Sequence, residues 1–233
     1  MSATANVRKP VSESFHNATR VQNALTASAE RKVLLWLAKR TPQWVSPDNL
    51  TAVGFAAQFL AGASYALARW NRCGLLLATF FVALNWLGDS LDGTLARYRC
   101  RLRPRYGFYV DHMVDTFGAV FLMCGLAASN YLHWQIAAGM LVAFLVLSVE
   151  TYLAAYTLCD FRLSHGFFGP TEIRVLLVIG SVTLMFRPYA HLFGRDYLLF
   201  DVGGVVATAG MMGMATLATI RHTIRLYREE RLP

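Results

Sequence analysis

Residues 88–118 read GDSLDGTLARYRCRLRPRYGFYVDHMVDTFG and join two strongly apolar segments. Four aspartates fall within this stretch: Asp89, Asp92, Asp111 and Asp115. Carboxylates are expensive at a membrane boundary, so four together call for a reason. Bound divalent metal is the leading one, because hard cations take oxygen ligands and neutralise clustered negative charge. Taken without their neighbours, the acids also fit a polar helix hairpin whose carboxylates pair with the intervening arginines.

The rest of the chain supports a membrane setting. Of 233 residues, 55% are hydrophobic and 15% charged, with a mean hydropathy of +0.38. A soluble domain carries about 25% charged residues. The length suits one compact membrane domain. Net charge is +8, but the basic residues gather in the connections between apolar segments, so no nucleic-acid partner is expected. Cys73, Cys100, Cys124 and Cys159 form no CxxC pair and read as reduced, structural thiols.

Working outward, residues 1–28 are polar and contain no apolar run of signal-peptide type, so no cleavage is expected. Residues 29–46 include ERKVLLWLAKR, which combines Val33, Leu34, Trp36 and Leu37 with Arg31, Lys32, Lys39 and Arg40. This is a short basic amphipathic helix, suited either to an anionic membrane surface or to packing on the domain as a lead-in. Residues 47–222 form the membrane domain, and 223–233 a basic tail. Six spans of ~20 residues are predicted near 50–68, 73–95, 107–129, 134–158, 171–187 and 198–220. The fifth is the shortest, and its start borrows from Pro170-Thr171-Glu172-Ile173. The predicted fold is an all-α membrane protein with an interfacial N-terminal helix.

Orientation follows from Lys and Arg in the connections. Of the 22 in the chain, 18 fall on the side of both termini and the aspartates, and Arg69, Arg72, Arg187 and Arg195 on the other. Both termini and the acids are therefore expected in the cytoplasm of a multi-pass protein of the cell membrane. Asp89 and Asp92 close the second span, and Asp111 and Asp115 open the third. Spacings of three and four residues put each pair on one helix face, where two facing pairs can enclose two cations ~3.5–4 Å apart.

The residues around the acids read Asp89-x2-Asp92-Gly93-x2-Ala96-Arg97-x9-Gly107-x3-Asp111-x3-Asp115. This resembles the signature of the CDP-alcohol phosphotransferase family, and every fixed position matches. The resemblance implies that Asp89, Asp92, Asp111 and Asp115 hold two divalent ions, Mg²⁺ or Mn²⁺, which grip the pyrophosphate of a CDP-linked substrate. It also makes Asp115 the general base, and Gly93, Ala96, Arg97 and Gly107 the surroundings of the CDP moiety. Small residues there allow close approach, and Arg97 offers a planar fork for phosphate. Ser46-Pro47-Asp48-Asn49-Leu50-Thr51 resembles a further CDP-contacting segment of some members. Asp48 or Thr51 serving as a plain helix N-cap explains it equally well. The resemblance further implies a homodimer working among membrane lipids.

The family's reaction is attack of an acceptor alcohol on the CDP-linked phosphate, with release of CMP. The acceptor pocket is expected around Glu150, Arg162, His165, Glu172 and Arg174. Glu172 also fits as a helix-start acid, and the two arginines as ordinary positive-inside residues. CDP-diacylglycerol with a small acceptor alcohol is the favoured pairing. Asp111-His112 echoes the members that use CDP-choline or CDP-ethanolamine with diacylglycerol. A divalent-cation transporter is a remote alternative, since its acids would lie near the bilayer midplane.

Overall fold

The computed structural model describes residues 27–158 and 170–230. In order these form α1 Ala27–Arg40, α2 Pro47–Leu67, α3 Cys73–Tyr98, α4 Pro104–Ala128, α5 Trp134–Leu158, α6 Pro170–Phe186, the strands β1 Tyr189–Leu192 and β2 Arg195–Leu198, and α7 Leu199–Glu229. Helices α2, α3, α4, α5 and α7 are long and apolar enough to cross a membrane. Helix α6 has 17 residues, just short of a ~20-residue crossing. The predicted limits of the apolar segments hold to within one turn, except that α7 continues through Glu229.

Local chemistry sets the helix starts near the acids. Ser46 is the N-cap of α2: its extended backbone (φ −93°, ψ 159°) lets Oγ accept from the Asn49 N–H at 3.1 Å. Pro47 follows at the first helical position, where a missing N–H is harmless. The cap is therefore neither Asp48 nor Thr51. Pro104 opens α4 in the same way. The α1–α2 link is held by Arg99, whose guanidinium donates to the carbonyls of Thr41 (3.0 Å), Pro42 (2.8 Å) and Val45 (2.5 Å). Arg99 is thus more than an orientation charge.

Helix α2 packs against both α3 and α4, and glycines make the approach close. A Cβ on Gly88 would stand 2.8 Å from the Gly54 Cα and 2.8 Å from the Leu50 carbonyl oxygen. A Cβ on Gly125 would stand 2.0 Å from the Gly62 carbonyl oxygen. Asn85 bridges the first seam, donating to the Gly54 carbonyl and to Gln58 Oε1, each at 3.0 Å. Ala61, Tyr65, Leu75, Ala78, Leu122 and Leu126 fill the buried centre. The Tyr65 hydroxyl shares a 2.6 Å hydrogen bond with Ser181 of α6.

The lead-in reading of the N-terminal helix holds for one face of α1. Leu34 and Ala38 are buried against Leu91 and Leu95 of α3. Val33 and Trp36 point outward, and the Arg40 guanidinium lies 4.0 Å over the Trp36 ring. Cys73, Cys100 and Cys124 are free, and Cys159 lies outside the described residues.

The all-α expectation needs one correction. The connection between α6 and α7 is an antiparallel hairpin in which Tyr189 pairs with Leu198 and Leu192 with Arg195. Phe193 (φ 51°) and Gly194 (φ 76°) make its two-residue turn. Positive φ at both central positions matches the twist of the strands. A Phe-Gly pair lacks the Asn-Gly or Asp-Gly signal by which such turns are recognised in sequence.

If the glycine seams hold the bundle, Gly62→Ala and Gly125→Ala should each destabilise the protein by about 1–3 kcal/mol through overpacking. Gly139→Ala should not, since its Cβ would meet nothing nearer than Thr208 Cγ2 at 3.9 Å. Thermal unfolding of the three variants in detergent tests this; equal midpoints would refute the seams.

Candidate active site

Helices α3 and α4 run antiparallel from a five-residue connection, 99–103, which brings their acidic turns side by side. Asp111 and Asp115 share one face of α4, and Asp89 meets them from α3. Each of the three offers a carboxylate oxygen, and these atoms all lie within 4.8 Å of one another. A set made only of carboxylate oxygens suits a hard divalent ion such as Mg²⁺ or Mn²⁺, not a soft metal. The residues therefore fit the metal that the sequence motif implied.

Asp92 stands apart from this trio. One carboxylate oxygen accepts from Thr51 Oγ1 at 2.5 Å, and the other from the Gly93 backbone N–H. Three residues of helix leave it about 60° round the axis from Asp89, which turns it toward α2. The Thr51–Asp92 bond joins the start of α2 to the acidic turn of α3.

An open cleft of about 980 Å³ surrounds the acids. The four aspartates, Gly93, Ala96, Arg97, Gly107, Asp48 and Thr51 all line it. Asp48 also pairs with Arg103, and Arg97 donates to Thr94 Oγ1 at 3.3 Å. A Cβ on Gly93 would come no nearer than 3.6 Å, to the Arg97 guanidinium, and one on Gly107 would meet nothing within 4 Å. These glycines leave room in the cleft, unlike those in the helix seams. Asn49 and Leu50 do not line it. The Asn49 side chain accepts from Ser46 in the α2 cap, and Leu50 packs against the cluster of Leu34, Ala38, Leu91 and Leu95.

The residues expected around the acceptor separate. Arg174 Nη1 reaches Asp89 Oδ2 at 2.8 Å and lines the cleft. Glu172, two residues earlier, does not line it, because that spacing turns it away around α6. Glu150 instead meets His222 Nδ1 at 2.6 Å, joining α5 to α7. Arg162 and His165 lie outside the described residues.

Two neighbours escaped the sequence reading. Glu30 of α1 lines the cleft, although its only sequence signal is an acid opening a basic amphipathic helix. Tyr152 of α5 sets its ring 4.7 Å from His112, which itself stacks on Phe108 at 4.2 Å. A tyrosine within a long apolar segment carries no such signal.

The sequence model of the family described as CDP-alcohol phosphatidyltransferase matches residues 44–220, most of the chain and all four aspartates of the motif. The chain belongs to the CDP-alcohol phosphatidyltransferase family. An archaetidylinositol phosphate synthase of Pyrococcus horikoshii is 28% identical over 52% of this chain and 57% of its own length. A cholinephosphotransferase 1 of Danio rerio is 24% identical over 62% of this chain and 39% of its own. The chain thus spans about half the length of these curated relatives. A crystal structure of Mycobacterium tuberculosis phosphatidylinositol phosphate synthase with CDP-DAG bound is 19% identical, with a TM-score of 0.49, covering 86% of this chain and 92% of that one.

For this member of the family, two substitutions probe the cleft directly. Asp111→Asn should weaken Mn²⁺ binding by at least the roughly 10–100-fold that loss of an outer-shell partner costs; electron paramagnetic resonance of free Mn²⁺ reads it, and wild-type affinity would remove the trio as a metal site. Gly107→Ala should stabilise helix α4 by about 0.5–1 kcal/mol while weakening binding of a CDP-alcohol by titration calorimetry. Unchanged binding would show that Gly107 does not face the ligand.

Proposed function

We propose that this protein transfers a substituted phosphate group from a CDP-alcohol to the hydroxyl of an acceptor alcohol, releasing CMP, in phospholipid biosynthesis. The observation that carries this reading is the convergence of Asp89, Asp111 and Asp115 within 4.8 Å, in a cleft also lined by Arg97. Divalent ions held there would neutralise the pyrophosphate and stabilise the departing phosphate oxygen. Asp89, Asp111 and Asp115 are the ligands best supported, with Asp92 completing a two-ion site.

The chain's own residues supply the rest. Arg97 offers a permanently charged fork to a phosphate. Gly93, Ala96 and Gly107 leave space for the nucleotide, with Asp48 and Thr51 beside it. Asp115 is the general base: it takes the proton of the acceptor hydroxyl as that oxygen bonds to the β-phosphorus. The phosphorus–oxygen bond to the α-phosphate breaks, and CMP departs. A carboxylate can do this where like charge and desolvation keep its proton affinity up. Arg174 is the cation best placed to meet an anionic acceptor.

CDP-diacylglycerol is the favoured donor, and the synthase from Pyrococcus horikoshii supports an acceptor of the inositol phosphate kind. The cholinephosphotransferase relative, together with His112 beside Asp111, supports a second reading with diacylglycerol as acceptor. On this reading α6 joins the five longer helices as a sixth crossing. The termini and the cleft then face the cytoplasm of the cell membrane, and α1 lies at its surface. CDP-linked substrates are soluble or membrane-bound on that side, and the Arg-rich connections favour it.

Purified protein incubated with CDP-diacylglycerol or CDP-choline and a panel of acceptors should release CMP and yield one lipid product, identified by mass. EDTA should abolish turnover, and Mg²⁺ or Mn²⁺ should restore it; metal-independent turnover would sink the reading. Asp115→Asn should lower turnover by roughly 10²–10⁴-fold, the usual contribution of a general base, in a folded protein. Arg97→Lys should raise KM for the CDP substrate, since one point charge replaces a fork.

A further inference from the structure

Glu30 stands in the first turn of α1, far from the acids in sequence. Its Oε1 accepts from three side chains on two other helices: Trp86 Nε1 at 3.1 Å and Ser90 Oγ at 3.2 Å on α3, and Thr171 Oγ1 at 3.1 Å on α6. These donors have a pattern. Ser90 follows Asp89 directly, and Trp86 lies one turn before it. Thr171 lies one turn before Arg174, on the same face of α6. Thr171, Arg174 and Glu30 all line the cleft, and Arg174 meets Asp89 at 2.8 Å.

One carboxylate oxygen therefore ties together the α3 turn that carries Asp89 and the α6 turn that carries the cation beside it. An ionised carboxylate is well suited to this task. It only accepts hydrogen bonds, has about four lone-pair sites, and makes stronger bonds than a neutral acceptor. The apolar face of α1, Leu34 and Ala38 against Leu91 and Leu95, fixes where Glu30 sits.

We propose that Glu30 is a positioning residue of the acid site: it holds the first turn of α6 against α3 and so keeps Arg174 on Asp89. Helix α1 is then part of the catalytic assembly as well as a surface helix. For its activity arm this inference rests on the transferase reading above.

The test compares wild type with Glu30→Gln, Glu30→Ala, Thr171→Val and the Ala/Val double variant, with kcat expressed per folded molecule. Glu30→Ala should lower kcat at least about tenfold while changing KM for the CDP-alcohol less than about threefold, since the residues assigned to the nucleotide lie on α2, α3 and α4 and not on α1 or α6. Glu30→Gln keeps an accepting oxygen and should restore most of the loss. Thr171→Val should reproduce part of it, and the double variant should lose less than the two single losses combined. A lowered melting temperature with full kcat per folded molecule would reduce Glu30 to a purely structural role and overturn the proposal, as would fully additive losses.

An activity-independent arm uses 5-fluorotryptophan, with the Trp86 resonance assigned by its disappearance in Trp86→Phe. Glu30→Ala should move that resonance, and Thr171→Val should move it in the wild-type background but much less in the Glu30→Ala background, as an anchor shared through Glu30 requires. A Trp86 signal indifferent to Thr171→Val would overturn the shared anchor. If wild type releases no CMP from any donor, the transferase reading fails, and the fluorine arm still decides whether Glu30 joins the two helices.

Discussion

Helix α2 meets α3 and α4 backbone to backbone, where Gly54 faces Gly88 and Gly62 faces Gly125. In lipid no hydrophobic force separates helix–helix from helix–lipid contact, so close packing and interhelical hydrogen bonds must hold the bundle. Small residues make that packing possible. Its consequence reaches the cleft, because Gly88 directly precedes Asp89 and Gly54 lies one turn beyond Thr51. The seam that seats α3 on α2 also sets the Thr51–Asp92 hydrogen bond and the direction in which Asp89 points. Asn85, itself buried, reinforces it from within, giving the Gly54 carbonyl a second partner.

Against that frame the acids are an expense. A single aspartate at the centre of a membrane helix costs about 2.5–3.5 kcal/mol on insertion scales. Placing the cluster toward helix ends lessens this: Asp92 and Asp89 lie roughly 9 and 14 Å from the end of α3 at ~1.5 Å per residue. Partners lessen it further. Asp89 has Arg174, Asp92 has Thr51 and the Gly93 N–H, and Asp48 has Arg103. Arg99 is spent differently, on three carbonyls of the α1–α2 link. The arginines of this region look alike in sequence and do separate work in the fold.

Much of this was legible in the chain. Long apolar runs, with Pro47 and Pro170 before the first and fifth, marked the helices, because hydrocarbon thickness dictates their length and proline favours a helix start. The spacing of Asp111 and Asp115 put both on one face, since helix geometry alone relates positions four apart. The motif tied Gly93, Ala96, Arg97 and Gly107 to the same cleft. Less legible were Glu150 and Glu172. Both are acids in apolar surroundings, yet Glu150 pairs with His222 across α5 and α7, and Glu172 turns away from the cleft that Arg174 faces. Which way such a side chain turns depends on the rotation of its helix against its neighbours. The Phe193–Gly194 hairpin was hidden for a local reason, as its turn residues are unusual ones.

Sequence alone was enough for the membrane class, the helix limits other than the end of α7, and the acid motif, because each follows from short-range spacing, hydropathy or a fixed run of residues. Tertiary structure decided which acids meet. It drew Asp89, Asp111 and Asp115 together, turned Asp92 toward Thr51, and brought Glu30 and Arg174 to the same cleft from elements separated by most of the chain. Those pairings depend on how helices rotate and cross, and that is set by packing at Gly54–Gly88 and Gly62–Gly125, between segments whose partnership no local pattern reveals.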